Sequence, residues 1–147
     1  FLPQQDLQAI AEPMEGFVQL AHYSAYNPDK NMQAFNAKFK KRYNLDGNIM
    51  AGAYDAVLFW AAAAEKAKSF DADKVAEAQE GMCLDNTHIG RQCIRKEDHQ
   101  VVMDMHLYEV KAGKNLPIAT LLGKDTIGEP MVGKDPVEGF TWELKKK

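Results

Sequence analysis

The chain has 147 residues, 46% hydrophobic and 27% charged, with a net charge of −3 and a pI near 5.8. That size and balance fit one globular domain able to bury about 70% of its unfolded surface. The lack of a basic stripe or arginine cluster argues against nucleic acid as a partner, and no apolar run suits a bilayer about 30 Å thick.

The chain begins at Phe1 with neither an initiator Met nor a signal peptide, and so reads as a mature or truncated product. Residues 1–15 carry two prolines and predict an entry segment with one helical turn. Gly16 to Tyr23 predicts a strand, broken at Asn27-Pro28. A helix is expected from Asn31 to Tyr43, with Met32, Phe35, Phe39 and Tyr43 as an aromatic stripe read as core packing. Lys40, Lys41 and Arg42 suit the negative end of its dipole.

The stretch from Asn48 to Lys68 is the longest element, with Asn48 as its N-cap. Met50, Tyr54, Val57, Ala61 and Ala64 recur on one helical face, and Leu58, Phe59 and Trp60 spread the apolar surface round the circumference. It reads as a core helix, with Asp55, Glu65, Lys66 and Lys68 solvated. A short helix through Val75 and Ala78 follows, capped by Asp71 or Asp73 and stopped by Gly81.

Strands begin at Met82. Cys83 to Cys93 predicts an irregular hairpin with its sulfurs facing. Bridged, the two cysteines would close a short loop worth about 2.5–3 kcal/mol on a chain-entropy account. Two reduced thiols are the alternative; with no His or Cys at ligand spacing beside them, the bridge and an exporting compartment are favoured. Val101 to Val110 alternates as a strand, residues 111–115 turn, and Leu116 to Leu122 returns as its partner despite Pro117. Residues 123–147 predict a loop-rich strap ending near Trp142, with a solvated Lys145–Lys147 end.

Catalytic patterns are missing. His22, His88, His99 and His106 show no metal spacing, and His99 beside Asp98 reads as a loop histidine making a backbone contact. No phosphate loop, nucleophile elbow or CxxC pair occurs, and no cofactor is expected.

Three stretches taken together point further. They are Glu15-Gly16-Phe17 opening a strand to Tyr23, and the Phe35, Phe39, Tyr43 stripe followed by Ala53-Tyr54-Asp55-Ala56-Val57. The third is Gly90-Arg91 with Ile94 to Gln100 leading into Tyr108-Glu109-Val110. In this order they resemble the C-terminal part of type I periplasmic solute-binding proteins, the ABC-importer receptors for branched-chain amino acids, amides, urea and small organic acids. The resemblance covers most of residues 10–113. It departs from the family at Ile89-Gly90, where Pro-Gly is common, and in the flanking cysteines.

The resemblance implies an α/β fold of two lobes joined by three crossover strands. Residues 1–147 would then be a C-terminal fragment giving elements to both lobes and to the hinge. It implies a periplasmic, non-enzymatic receptor that hands a small amino acid or organic acid to a membrane permease. Ile49, Met50 and Tyr54 are the ligand-binding candidates, with free helix N-terminal amides around Met50–Gly52. Tyr23 is a looser one, and packing is the competing role for each of the four. The part of the protein before Phe1, or a second copy in an intimate oligomer, is expected to cover the helix from 48 to 68. A sensory domain of the same fold and a cytosolic α/β enzyme fragment are the alternatives.

Overall fold

In a computed structural model of the chain, residues 4–128 are described. The strap expected toward Trp142 and the Lys145–Lys147 end lie outside them. Five helices and six strands follow in the order α1, β1, α2, α3, α4, β2, β3, β4, β5, β6, α5. Helix α1 is Gln4–Ala9, the turn expected in the entry segment, and strand β1 is Val18–Ala21. Helix α2 is Lys30–Tyr43; Asp29 caps it by accepting from the amides of Asn31 and Met32, at 2.8 and 3.1 Å.

Asn48 caps as expected, but it opens a single 3-10 turn, Ile49–Ala51, from which α3, Gly52–Ala67, continues. Asp71 caps α4, Ala72–Gln79. Strands β2, Cys83–Thr87, and β3, Gly90–Ile94, form the predicted hairpin. The single strand expected over 101–110 divides. Val101–Val102 is β4 beside β3, and Met105–Lys111 is β5 in another sheet. β6, Lys114–Leu121, returns beside β5, and α5 is Gly123–Thr126.

Two antiparallel three-stranded sheets result, one ordered β1-β5-β6 and the other β2-β3-β4. The chain therefore leaves the first sheet after β1, builds three helices and a hairpin, and comes back as β5. Period-two alternation decides which face of that sheet is covered. Ala21, Tyr108 and Val110 are buried, whereas Val18 and Leu20 on the opposite face are about half exposed. Tyr108 fastens the exit from β1, its hydroxyl accepting from Asn27 Nδ2 at 2.9 Å. Pro117 is tolerated because β6 is an edge strand.

Helix α3 corrects the sequence reading. The face carrying Met50, Tyr54 and Val57, expected in the core, is exposed at 70%, 45% and 64%. The covered face is instead Asp55, Phe59 and Ala63, so Asp55, expected in water, is only 3% exposed. Ala63 and Ala64 pack against Val75 and Ala78 of α4. The hydrophobic pattern was ambiguous because apolar residues surround the helix; a polar interaction broke the tie. Asp55 Oδ1 accepts the His88 backbone amide at 2.9 Å, and Oδ2 receives both His88 Nδ1 and Gln92 Nε2. Gln92 Nε2 also reaches Thr87 Oγ1 at 2.9 Å, and Thr87 donates to the Gly90 carbonyl at 2.6 Å.

The hairpin is thus held at both ends. Its tip is fixed to α3 by a buried carboxylate, and its base is closed by the Cys83–Cys93 disulfide at directly paired positions. Asp55→Ala leaves the two His88 donors without an acceptor in a buried place and takes one of two acceptors from Gln92 Nε2, a loss of about 3–5 kcal/mol. Reducing the disulfide frees a ten-position separation and costs about 2–3 kcal/mol. Urea titrations of the wild type, the variant and the reduced protein should return these losses in that order. An Asp55→Ala protein as stable as wild type would mean that the carboxylate does not fix the hairpin.

Candidate functional site

A groove of about 460 Å³ lies between α2 and the first turn of α3. Four-residue spacing on α2 sets Phe35, Phe39 and Tyr43 in a row along one wall. Their rings touch in sequence, with centroids 5.9 and 4.7 Å apart, and Tyr54 meets Phe35 at 5.4 Å. Asn48, Met50 and Ala51 form the other edge, and Lys38 and Arg42 bring the cations. The Arg42 guanidinium lies 5.7 Å from the Tyr43 ring centre, within cation–π range. Of the stripe read as core packing, Met32 is buried as expected, whereas Phe35, Phe39 and Tyr43 form an open aromatic wall, with Tyr43 54% exposed.

Of the four sequence candidates, Met50 and Tyr54 line this groove. Ile49 lies in the same turn, half buried, and is not among the lining residues. Tyr23 is 3% exposed and packs edge-on behind Phe35 at 5.8 Å, so it supports the wall from within. Burial, with Asp46 nearby, raises its phenol pKa, keeping the hydroxyl protonated as a donor to Asn36 Oδ1 at 3.4 Å. Burial likewise pushes Tyr108 up to about 12, against the Asn27 hydrogen bond.

The free amides expected at the helix start are all engaged. Met50 N–H is taken by Asn48 Oδ1 at 2.8 Å, Ala51 N–H by the Asn48 carbonyl at 3.0 Å, and Gly52 N–H by the carbonyls of Ile49 and Met50. The cap that starts the helix consumes the donors that a carboxylate would have used. The positive charge lining this groove is that of Lys38 and Arg42.

Asn36, which the sequence did not single out, ties the two walls together. Its Oδ1 accepts the Gly47 amide at 2.7 Å, and its Nδ2 donates to Asp46 at 3.2 Å. Gly47 has to be glycine here, because a Cβ would stand 2.6 Å from the Tyr23 hydroxyl. Behind the groove, His88 is 1% exposed and touches Tyr23 and Phe35 at ring separations of 5.3 and 5.5 Å. The sequence signal for this backing was Asp55 itself, a lone carboxylate within an otherwise apolar helical stretch. His99 keeps the role expected of it, its amide bonding the Arg95 carbonyl at 2.9 Å. No cluster of three metal-ligating side chains and no helix long and apolar enough to cross a membrane occurs among the described residues.

Comparison with known proteins agrees with this architecture. The family model described as periplasmic binding protein matches residues 2–115. A solute-binding protein of an ABC transporter from Rhodopseudomonas palustris BisB5, solved with 3,4-dihydroxybenzoic acid, superposes with a TM-score of 0.75 at 24% identity. That alignment covers 84% of this chain and 36% of the other. An ABC-type branched-chain amino acid transporter protein from R. palustris CGA009 gives 0.75 at 27% identity, over 91% of this chain and 38% of that one. A periplasmic binding protein from Burkholderia mallei gives 0.76 at 22% identity, over 87% and 36%. No curated protein matches. The chain spans little more than a third of the length of these solved structures. With the family model covering most of its residues, the chain belongs to the periplasmic binding proteins, with a type I fold, a family of solute-binding receptors and not of enzymes.

Proposed function

We propose that this chain is the C-terminal part of an extracytoplasmic solute-binding receptor of an ABC importer. It holds a small organic acid or amino acid and presents it to a membrane permease. The observation that carries the reading is the groove itself: four aromatic rings with Met50 on its walls, and Lys38 and Arg42 beside them. Such a surface suits a ligand with a flat or apolar body and a carboxylate. Tyr54 and Met50 contact the body, and the two cations face the acid. Ile49 and Tyr23 support the site from behind. Solute-binding proteins from R. palustris were solved in complex with 3,4-dihydroxybenzoic and p-hydroxybenzoic acids, which have this chemistry.

The groove is one wall of a site. Its open side continues into the exposed face of α3, where Val57 is 64% and Trp60 47% exposed. The matched part makes up only 36–38% of the relatives' length, and the remaining portion of a two-lobed receptor is the partner we assign to that face. Strands β1, β5 and β6 then supply the hinge, with the elements on either side belonging to different lobes.

Calorimetry should compare the full-length receptor with the 147-residue chain, using benzoate, p-hydroxybenzoate and leucine as titrants. At least one titrant should bind the receptor saturably, Tyr54→Ala should weaken it by about tenfold or more, and the chain alone should bind far more weakly. No saturable heat from any titrant, or a Tyr54→Ala receptor of unchanged affinity, would reject the groove as the site.

A further inference from the structure

A second hollow, of about 210 Å³, opens beside the groove, between α2, the first turn of α3 and the tip of the β2–β3 hairpin. Phe35, Lys38 and Tyr54 line both spaces. The Phe35 and Tyr54 rings, with centroids 5.4 Å apart, therefore form a shared sill, and Lys38 serves either side of it. The two spaces differ in chemistry. The groove runs on along Phe39, Tyr43 and Met50, whereas the hollow adds the amides of Asn31 and Asn86 and has no carboxylate among its lining residues.

The backbone brings both amides to this place. Asn31 stands one turn before Phe35 on α2, so it heads the row that Phe35, Phe39 and Tyr43 continue. At the hairpin tip, a Cβ on Gly90 would stand 2.5 Å from Asn31 Nδ2, so the glycine leaves the room in which helix and hairpin meet. Asn86 falls between Leu84 and Thr87, where the β2–β3 register shifts. Such an irregularity turns a side chain out of the regular alternation. Thr87, on the same wall, is already engaged, donating to the Gly90 carbonyl at 2.6 Å and accepting from Gln92 Nε2 at 2.9 Å. The side chains of Asn31, Asn86 and Lys38 make no hydrogen bond or ion pair among the described residues.

An amide offers a donor and an acceptor together, which matches a neutral hydroxyl better than a second carboxylate. Lys38 is the one cation lining the hollow, and the groove already engages it with Arg42 for the acid. Asn31 and Lys38 are seven positions apart on α2, about 10 Å along the axis. One benzene ring with two para substituents, and a hydrogen bond at each end, spans such a distance. We propose that the hollow is a specificity subsite. Asn31 and Asn86 receive the hydroxyl at the far end of a ring acid whose body leans on Phe35 and Tyr54 and whose carboxylate meets Lys38. The inference rests on the groove being the solute site, and it narrows the solute to aromatic acids hydroxylated opposite the carboxyl group.

Calorimetry on the full-length receptor compares p-hydroxybenzoate with benzoate in the wild type, Asn86→Ala and Asn31→Ala. The wild type should prefer p-hydroxybenzoate by about tenfold, the worth of one well-made hydrogen bond to the hydroxyl. Each substitution should abolish most of that preference by weakening p-hydroxybenzoate far more than benzoate. A general disturbance of the protein would weaken both acids together and leave their ratio at the wild-type value, and that result would overturn the subsite. A wild type that holds the two acids equally, with Tyr54 still needed for benzoate, would also overturn the subsite while sparing the groove. Failure of both acids to bind would reject the groove and the subsite together. Should Asn31→Ala not fold, the wild-type ratio and Asn86→Ala, an exposed position in β2, decide by the same criteria.

Discussion

The described structure depends on one buried carboxylate. Asp55 sits on the covered face of α3 and receives two donors from His88 and one from Gln92. Burying a charge is costly unless hydrogen bonds replace its water, and here the hairpin tip replaces it. That requirement determines which side of α3 faces inward. Once Asp55 points to the hairpin, Phe59 and Ala63 follow it into the interior one and two turns on, and Tyr54, the residue before it in the helix, is turned outward. The exposed edge of the groove is therefore a geometrical consequence of the buried network behind it.

The same logic extends to the first sheet. Its covered face is fixed by polar contacts as well as by packing: Gln19 Nε2 reaches Asn115 Oδ1 at 2.6 Å, and Ser24 donates to the Asn115 carbonyl at 2.8 Å. These bonds hold the start of β6 against the exit from β1, where the chain departs for α2. His22 lies at that exit, and its ring meets that of His88 at the hairpin tip, 5.4 Å between centroids. The groove, the hairpin and the sheet share a small polar core, while their outward faces remain apolar and half exposed.

Most elements were legible in the sequence because their signals are local. Capping and turn residues located α2, α4 and the hairpin to within a residue or two, whereas alternation ran β4 and β5 together as one strand. The orientation of α3 was not legible, since Ala and aromatic residues surround the helix and no local rule makes Asp55 face the protein. Its partner lies 33 positions away. The site was half legible. The resemblance brought Met50 and Tyr54 to attention, but the aromatic row of α2 looked like core because periodicity marks an apolar face without saying what covers it. Tyr23 lies behind Phe35 and not on the groove surface, and the helix-start amides are taken up by the cap of Asn48, both contacts that only the folded chain reveals.

Native-state hydrogen exchange at the His88 amide tests the central claim most directly. This amide belongs to the hairpin turn, where exchange is ordinarily fast, and its only reason for protection is the Asp55 carboxylate at 2.9 Å. The account predicts that it exchanges as slowly as the α3 amides around Phe59, with the same denaturant dependence, because hairpin tip and helix open together. Fast exchange at His88 while those amides stay protected would contradict it, and would separate the hairpin tip from the helix whose orientation it is held to set.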